Sequence, residues 1–240
     1  MKKSMRIVMA VAFGAFAAVS VCAKDRPSLA LEAGAVGSEK TYSQTSTISD
    51  DSISIPYTRT VFSPDVRLGI DIPIKSIREN CFFGLKFAYN LSWEKSNSNS
   101  DSITYTDTSM THAFSIFPEL VFVKNDLRFI FGTGISFGIN LCKYENTYSS
   151  SGYVYQVNQE YTLYELCWTS EIAVKYCLTN HFSVLADLTI SVPFGVFERN
   201  GSYLVRRGGY FITGGDYADY TYLGRFPMSF CPRVGLSYMF

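Results

Sequence analysis

The ionisable residues that interrupt the apolar stretches of this chain fall at alternate positions. Glu32, Arg67, Asp71, Lys86, Glu94, Glu119, Arg128, Glu165, Glu171, Lys175, Asp187, Arg225 and Arg233 all obey this rule. Seven are acidic and six basic, so a shared interior would be close to neutral. Buried charges are costly unless paired, which makes cross-lumen ion pairs the expected chemistry. Glu119, Arg128, Glu171, Lys175 and Arg233 are the expected members of this structural network. Two readings stay open from sequence: an electrostatic plug, or a narrow path for solutes.

Covalent chemistry finds less support. The only histidines are His112 and His181. Base-assisted acyl transfer would need a histidine facing a serine and a carboxylate. Ser109 and Ser115 lie near His112, but on an extended strand His112 and Ser115 project to opposite faces. His181 falls in a short connection. No catalytic residue is assigned, and the chain is read as a non-enzyme. Apart from Cys22, the cysteines are Cys81, Cys142, Cys167, Cys177 and Cys231, with no CxxC pair and no zinc-like spacing to the histidines. No metal or cofactor is expected. Cys167 and Cys231 fall on strands separated by a third, a span of about 9–10 Å. A disulfide needs Cα atoms within about 7 Å, so free thiols are expected there.

The elements that position these residues are strands. Period-two apolar patterning recurs in eight segments, beginning with Leu29, Leu31, Ala33 and Ala35. The second holds Val66 to Ile74, the third Phe83 to Trp93, and the fourth Phe114 to Phe122. The fifth runs from Leu127 to Leu141, the sixth from Tyr164 to Tyr176, and the seventh from Phe182 to Phe194. The eighth runs from Phe226 to Phe240. One face of each segment is apolar. The other mixes charge with Gly, Ser and Thr. Pro118 and Pro232 fall inside segments, where each removes a ladder hydrogen bond, and local bulges are expected to absorb them.

A soluble sandwich or lipocalin shows the same alternation with its apolar face turned inward. Three features favour lipid on that face. It is bulky and Phe-rich in every segment, whereas the polar face suits a small hydrated lumen. Connections alternate in length: residues 75–80, 124–126 and 179–181 are short, and residues 38–62, 95–109, 143–161 and 196–224 are long. Aromatics cluster at segment ends, with Trp93 and Trp168 toward the long-loop side. Phe83, Phe122, Tyr176, Phe182, Tyr238 and Phe240 lie toward the short-turn side. Short inner turns, long outer loops and aromatic girdles characterise outer-membrane barrels.

The N-terminus fits export. Lys2, Lys3 and Arg6 precede an uncharged apolar run over residues 7–21, and Val21-Cys22-Ala23 offers a cleavage site. Residues 1–23 are read as a cleaved signal and residues 24–240 as one barrel domain. A retained anchor helix and lipidation at Cys22 are the alternatives. Formal net charge is zero, from 21 basic and 21 acidic residues, so nothing suggests nucleic acid. Beyond the N-terminal run no segment is long and apolar enough for a spanning helix. A membrane protein of this kind must close a barrel, because lipid leaves backbone N–H and C=O groups without partners.

The last residues, Val234-Gly-Leu-Ser-Tyr-Met-Phe240, alternate apolar positions and end on Phe. This stretch resembles the assembly signal of outer-membrane proteins, with Tyr238 and Phe240 as its key positions. With the signal segment and the eight-fold pattern, residues 24–240 resemble the small OmpA, OmpX and OmpW-type barrels. There is no room for the periplasmic domain that OmpA-type proteins carry. The resemblance implies a closed antiparallel eight-stranded transmembrane β-barrel in the bacterial outer membrane. Its implied partners are outer-membrane lipid and the outer-membrane assembly machinery. The expected function is a structural or surface-interaction role with a host or surface partner. OmpW-like passage of small hydrophobic solutes is the alternative, and acyl transfer to lipid A is a third reading. The loops at Asp50-Asp51 and Gly208-Gly209 are expected to face outward from the cell. The Ser/Thr-rich residues 41–55 and 95–109 are expected to continue as hairpins, and the Tyr/Gly-rich residues 196–224 form an adaptable contact surface.

Overall fold

The computed structural model describes residues 26–48, 51–100, 103–150, 153–207, 210–217, 220–222 and 228–240. The signal segment expected at residues 1–23, Arg225, and the loop tips at Asp50 and Gly208-Gly209 lie outside the described residues. Among the described residues ten strands follow in order. β1 is Ser28–Ile48, β2 Asp51–Arg78, β3 Cys81–Ser100, β4 Ile103–Lys124 and β5 Leu127–Ser150. β6 is Tyr153–Cys177, β7 Phe182–Arg207, β8 Tyr210–Tyr217, β9 Tyr220–Tyr222 and β10 Ser229–Met239. β1 through β7 pair with their sequence neighbours, and β10 pairs antiparallel with both β7 and β1. Eight strands therefore form a hydrogen-bonded ring, with β8 and β9 attached to the outer half of β7.

Short connections define one rim. Asn125 adopts a positive φ of 55° in the turn between β4 and β5, a conformation Asn tolerates well. Between β6 and β7, Thr179 Oγ1 accepts hydrogen bonds from the amides of His181 (3.2 Å) and Phe182 (3.0 Å). The chain end closes the ring at this rim: the Met239 amide donates to His181 O and the Phe240 amide to Pro27 O.

The opposite connections differ from expectation. All four regions read as long loops are largely strand. β1 and β2 stay paired to Ile48↔Asp51, β3 and β4 to Ser100↔Ile103, and β5 and β6 to Ser150↔Tyr153. The first two extensions match the hairpins expected at residues 41–55 and 95–109. Those at residues 143–161 and 196–207 were not foreseen. Ser, Thr and Tyr with few breakers sustain a ladder once the ring has set the register, and a ladder needs no apolar face. At about 3.3 Å per residue, the 26-residue β7 is roughly 80 Å long, against roughly 10 residues for a membrane-spanning strand.

The extensions do not continue the ring evenly. β2–β3 pairing stops at Asp65↔Ser92, and β1–β10 pairing stops at Ser38↔Ser229. β3 through β8 remain paired beyond those levels. The ring thus splits into a two-stranded β1–β2 ribbon and a six-stranded β3–β8 sheet, whose edges have no strand partner among the described residues.

Side chains sort as the alternation predicts. Leu31, Ile116, Ile172 and Val234 are exposed on the outer surface, while Glu32, Arg67, Glu171 and Lys175 are buried within the ring. Ile72, read as outward-facing, is an exception: it is buried beside a bulge that breaks the alternation at Ile74.

The two mid-strand prolines require a correction. No register shift occurs at either. Around Pro118, β4–β5 pairing passes from Ile116↔Ile135 to Glu119↔Gly132 with two pairs absent and the register kept. Around Pro232, β1–β10 pairing passes from Gly34↔Arg233 to Gly37↔Phe230 in the same way. Each proline turns its missing donor to an opened stretch of ladder, so no extra residue is needed. Register shifts fall elsewhere, among them one beside Pro73 in the β2–β3 pairing and one beside Pro193 in the β6–β7 pairing.

Candidate functional site: a charged lumen with a cavity above it

Arg67 on β2 is the centre of the interior. Its Nη1 lies 2.6 Å from Glu171 Oε2 on β6 and donates to Thr189 Oγ1 on β7 at 3.1 Å. Its Nη2 lies 2.9 Å from Asp187 Oδ2 on β7 and pairs with Glu32 on β1. Lys86 on β3 reaches Glu171 Oε1 at 2.6 Å and Glu32 Oε1 at 3.6 Å. Lys175 on β6 reaches Asp71 Oδ2 at 2.7 Å and donates to Ser28 Oγ at 3.0 Å. Arg233 on β10 pairs with Asp65, and its Nη1 lies 3.3 Å from Asp187 Oδ1 and donates to Thr189 Oγ1 at 2.9 Å. Side chains from six of the eight ring strands are tied together across the lumen. Pairs of this kind offset the cost of drying each charge only because the partners are several and close.

Of the residues singled out from sequence, Glu171, Lys175 and Arg233 lie in this network. Glu119 and Arg128, on β4 and β5, lie nearer the short-turn rim. Glu119 is buried and its Oε1 has no hydrogen-bond partner among the described residues. Arg128 is half-buried and, with Glu119, lines a recess of about 30 Å³ toward the short-turn rim. Asp65 was missed. The apolar pattern of segment two was started at Val66, and stepping back from Arg67 by two positions reaches it. The centrality of Arg67 was also not foreseen, because alternation reports a face but not which side chains meet.

Above the network lies a cavity of about 550 Å³. Arg67, Asp65 and Arg233 line its inner end, and Glu94, Asp107 and Glu165 are among its walls. No residue lines both this cavity and the inner recess.

The other sequence candidates are placed as follows. His112 Nδ1 lies 2.7 Å from the Tyr89 hydroxyl, whereas Ser115 is buried and lines the cavity. Cys81, Cys142, Cys167, Cys177 and Cys231 are free thiols, with Cys167 and Cys231 buried. Among the described residues no group of three or more His, Cys, Asp or Glu is arranged to hold a metal ion. Tyr238 pairs with Leu29 and Phe182 across its two neighbouring strands. Its ring lies 5.2 Å from that of Phe182, 5.3 Å from Phe240 and 5.8 Å from His181. The residues of the expected assembly signal thus form an aromatic cluster where the ring closes.

An eight-stranded antiparallel ring, apolar outside and charged inside, resembles the small outer-membrane barrels. No protein-family model matches the chain, and no curated protein matches it in sequence. Solved structures do resemble it. Ail, the attachment invasion locus protein of Yersinia pestis, is 10% identical, with a TM-score of 0.46 over 90% of this chain and 99% of that one. Neisserial surface protein A is 9% identical, with a TM-score of 0.37 over 89% and 97%. CarO of Acinetobacter baumannii is 8% identical, with a TM-score of 0.34 over 86% and 97%.

Proposed function

We propose that this chain is a closed transmembrane β-barrel of the bacterial outer membrane that presents its extended strands as a surface-interaction module. The observation that carries this reading is the contrast along the barrel axis. The lumen is crossed by the Arg67-centred ion pairs, while β1 to β8 run on well beyond that level. An exposed belt of Leu, Ile, Phe and Val around a charged interior supports a lipid environment, because the reverse arrangement would place charge in hydrocarbon. The signal expected at residues 1–23 would deliver the chain to the envelope. Tyr238 and Phe240 would engage the assembly machinery at the closing edge. The edges of the β1–β2 ribbon and the β3–β8 sheet, unpaired among the described residues, offer backbone donors and acceptors to an extended partner segment.

The proposed role is not enzymatic. His112 is bonded to Tyr89, and Ser115 belongs to the cavity wall, so the two do not form an acyl-transfer pair. Passage of solutes in the manner of OmpW-type barrels is less well supported, because the outer cavity and the inner recess have no lining residue in common.

The test shortens the β1–β2 ribbon at the paired residues Thr41 and Thr58, replacing residues 42–57 with a tight turn. The shortened barrel should still fold, yet cells displaying it should lose adhesion to matrix-coated and cultured-cell surfaces. Substitutions in the lumen should leave adhesion intact. Tags inserted after Asp51 or between Arg207 and Tyr210 should be labelled on intact cells. Steady single-channel conductance by the purified protein in planar bilayers, with adhesion indifferent to the ribbon, would favour the transport reading instead.

A further inference from the structure

Where the ring splits, the outer stretches of β1, β2 and β3, and β8 with the short β9, each have an edge without a strand partner among the described residues. Protein edges are normally blunted by charge or proline. The outer stretch of β1 carries Glu39 and Lys40, that of β2 carries Asp51, Pro56, Arg59 and Pro64, and that of β3 carries Lys95. β8 reads Tyr-Phe-Ile-Thr-Gly-Gly-Asp-Tyr, with neither charge nor proline before Asp216. Its first residues are strong strand formers. They are also exposed in succession: Tyr210 at 82%, Phe211 at 66% and Ile212 at 47%. Successive strand residues face opposite sides, so neither face of β8 is covered there. The register with β7 passes from Val205↔Thr213 to Arg206↔Phe211, which makes Ile212 an extra, bulged residue.

The sequence of β8 is complementary to its own reverse. Two copies laid antiparallel and centred on Thr213 place Phe211 opposite Gly215, Ile212 opposite Gly214, Tyr210 opposite Asp216 and Thr213 opposite itself. Each large apolar residue then meets a glycine, whose backbone it shields, and the bulged residue falls where its neighbour has no side chain. A phenol donor meets a carboxylate acceptor, and Thr–Thr is a favourable cross-strand pair. We infer that β8 pairs antiparallel with β8 of a second copy of this chain, an inference that rests on the surface-module reading and names its partner. One edge pairs with itself about a two-fold axis perpendicular to the sheet. That rotation reverses the strands and the barrel with them, so the second copy is anchored in a facing membrane. β8 pairs with residues 201–207 of β7, about 40–60 Å along the strand from Leu188 at mid-ring. At a strand tilt of about 45° it stands roughly 30 Å or more from the midplane of a hydrocarbon core about 30 Å thick, clear of the bilayer. One short strand pair is weak, and many copies on each surface supply the avidity.

Two-colour microscopy and settling of otherwise non-aggregating Gram-negative cells that display the full chain test the pairing. Cells with the parent protein should cluster with one another and should not recruit cells lacking it. Thr213→Lys and Thr213→Glu each set like charges face to face at the two-fold, so each should slow clustering about tenfold or more. Mixing Thr213→Lys cells with Thr213→Glu cells should restore the rate to within about threefold of the parent, with the two colours interleaved. Glu145→Gln, on an exposed part of β5, should cluster like the parent. Variants are compared at equal display, with the ring verified by heat-modifiable gel mobility. Clustering unchanged by Thr213→Lys, a mixture that does not recover, or recruitment of cells lacking the protein would overturn the inference. Parent cells that stay dispersed, while a tag after Asp51 is labelled and adhesion through the β1–β2 ribbon persists, would overturn it and leave the surface-interaction reading standing. A tag labelled only after lysis would overturn both.

Discussion

Pro118 in β4 and Pro232 in β10 stand four strands apart around the eight-strand ring, on opposite sides, each beside a ladder opened by two pairs. A glycine accompanies each opening. A Cβ on Gly134 would collide with the backbone oxygen of Ile116, and one on Gly34 with that of Pro232. These glycines are therefore required by close backbone approach rather than by a turn.

Gly134→Ala and Gly34→Ala should each destabilise the protein by about 1–3 kcal/mol through overpacking against rigid backbone. Gly138→Ala should cost much less, because its added Cβ would meet only the Glu165 side chain at 3.5 Å or more. Urea unfolding in lipid vesicles would rank the three. A ranking with Gly138→Ala worst would mean that the seams are not tight.

Removing the central guanidinium should be the most damaging single change in the lumen. Arg67→Met leaves Glu32, Glu171 and Asp187 facing one another in a dry interior, a loss of roughly 3–5 kcal/mol. Adding Glu171→Gln to Arg67→Met should recover part of that loss, because one uncompensated charge is removed. Unfolding midpoints of the single and double variants provide the measurement. A double variant worse than Arg67→Met would show that Glu171 is held chiefly by Lys86.

Much of this architecture is legible in the alternation of residues such as Leu31–Glu32, Ile172–Glu171 and Leu188–Asp187. Period two fixes which face a side chain takes, and the ring then dictates whether that face meets lumen or surface. Pairing across the lumen is not legible in the same way. Glu119 and Glu171 carry the same signal, yet Glu171 meets Arg67 and Lys86 while Glu119 Oε1 meets no hydrogen-bond donor. The difference depends on strand stagger and side-chain reach across the barrel, which no local pattern encodes.

The cysteines offer a simple check on that stagger. Cys167 pairs across to Pro193 of β7, and Cys231 pairs across to Thr189 of the same strand. Those partners lie four residues apart on β7, so the two thiols are separated by two strand spacings across the sheet and by about 13 Å along it, well beyond disulfide reach. Peptide mapping of the purified protein without reductant should recover both as free thiols. A Cys167–Cys231 bridge would require a tighter ring.

The outer face carries the sharpest test of the membrane reading. Leu188 lies at the middle of the ring portion of β7, paired with Ile172 and Pro232, and is exposed at 39%. Its neighbour Asp187 points inward to Arg67 and Arg233. If lipid bathes the outer face, Leu188→Arg should cost roughly 2–4 kcal/mol, whereas the same change at Phe182 or Phe194, toward the two ends, should cost about 0–1 kcal/mol. Asp187→Ser is an internal control: it removes one of three carboxylates around Arg67 and should be tolerated better than Leu188→Arg. A water-filled exterior would penalise none of the three arginines, and a soluble protein with a packed outer layer would penalise them without regard to depth. Folding free energies in vesicles, plotted against position along β7, separate these outcomes. A mature chain that stays monomeric and folded without detergent would sink the outer-membrane assignment.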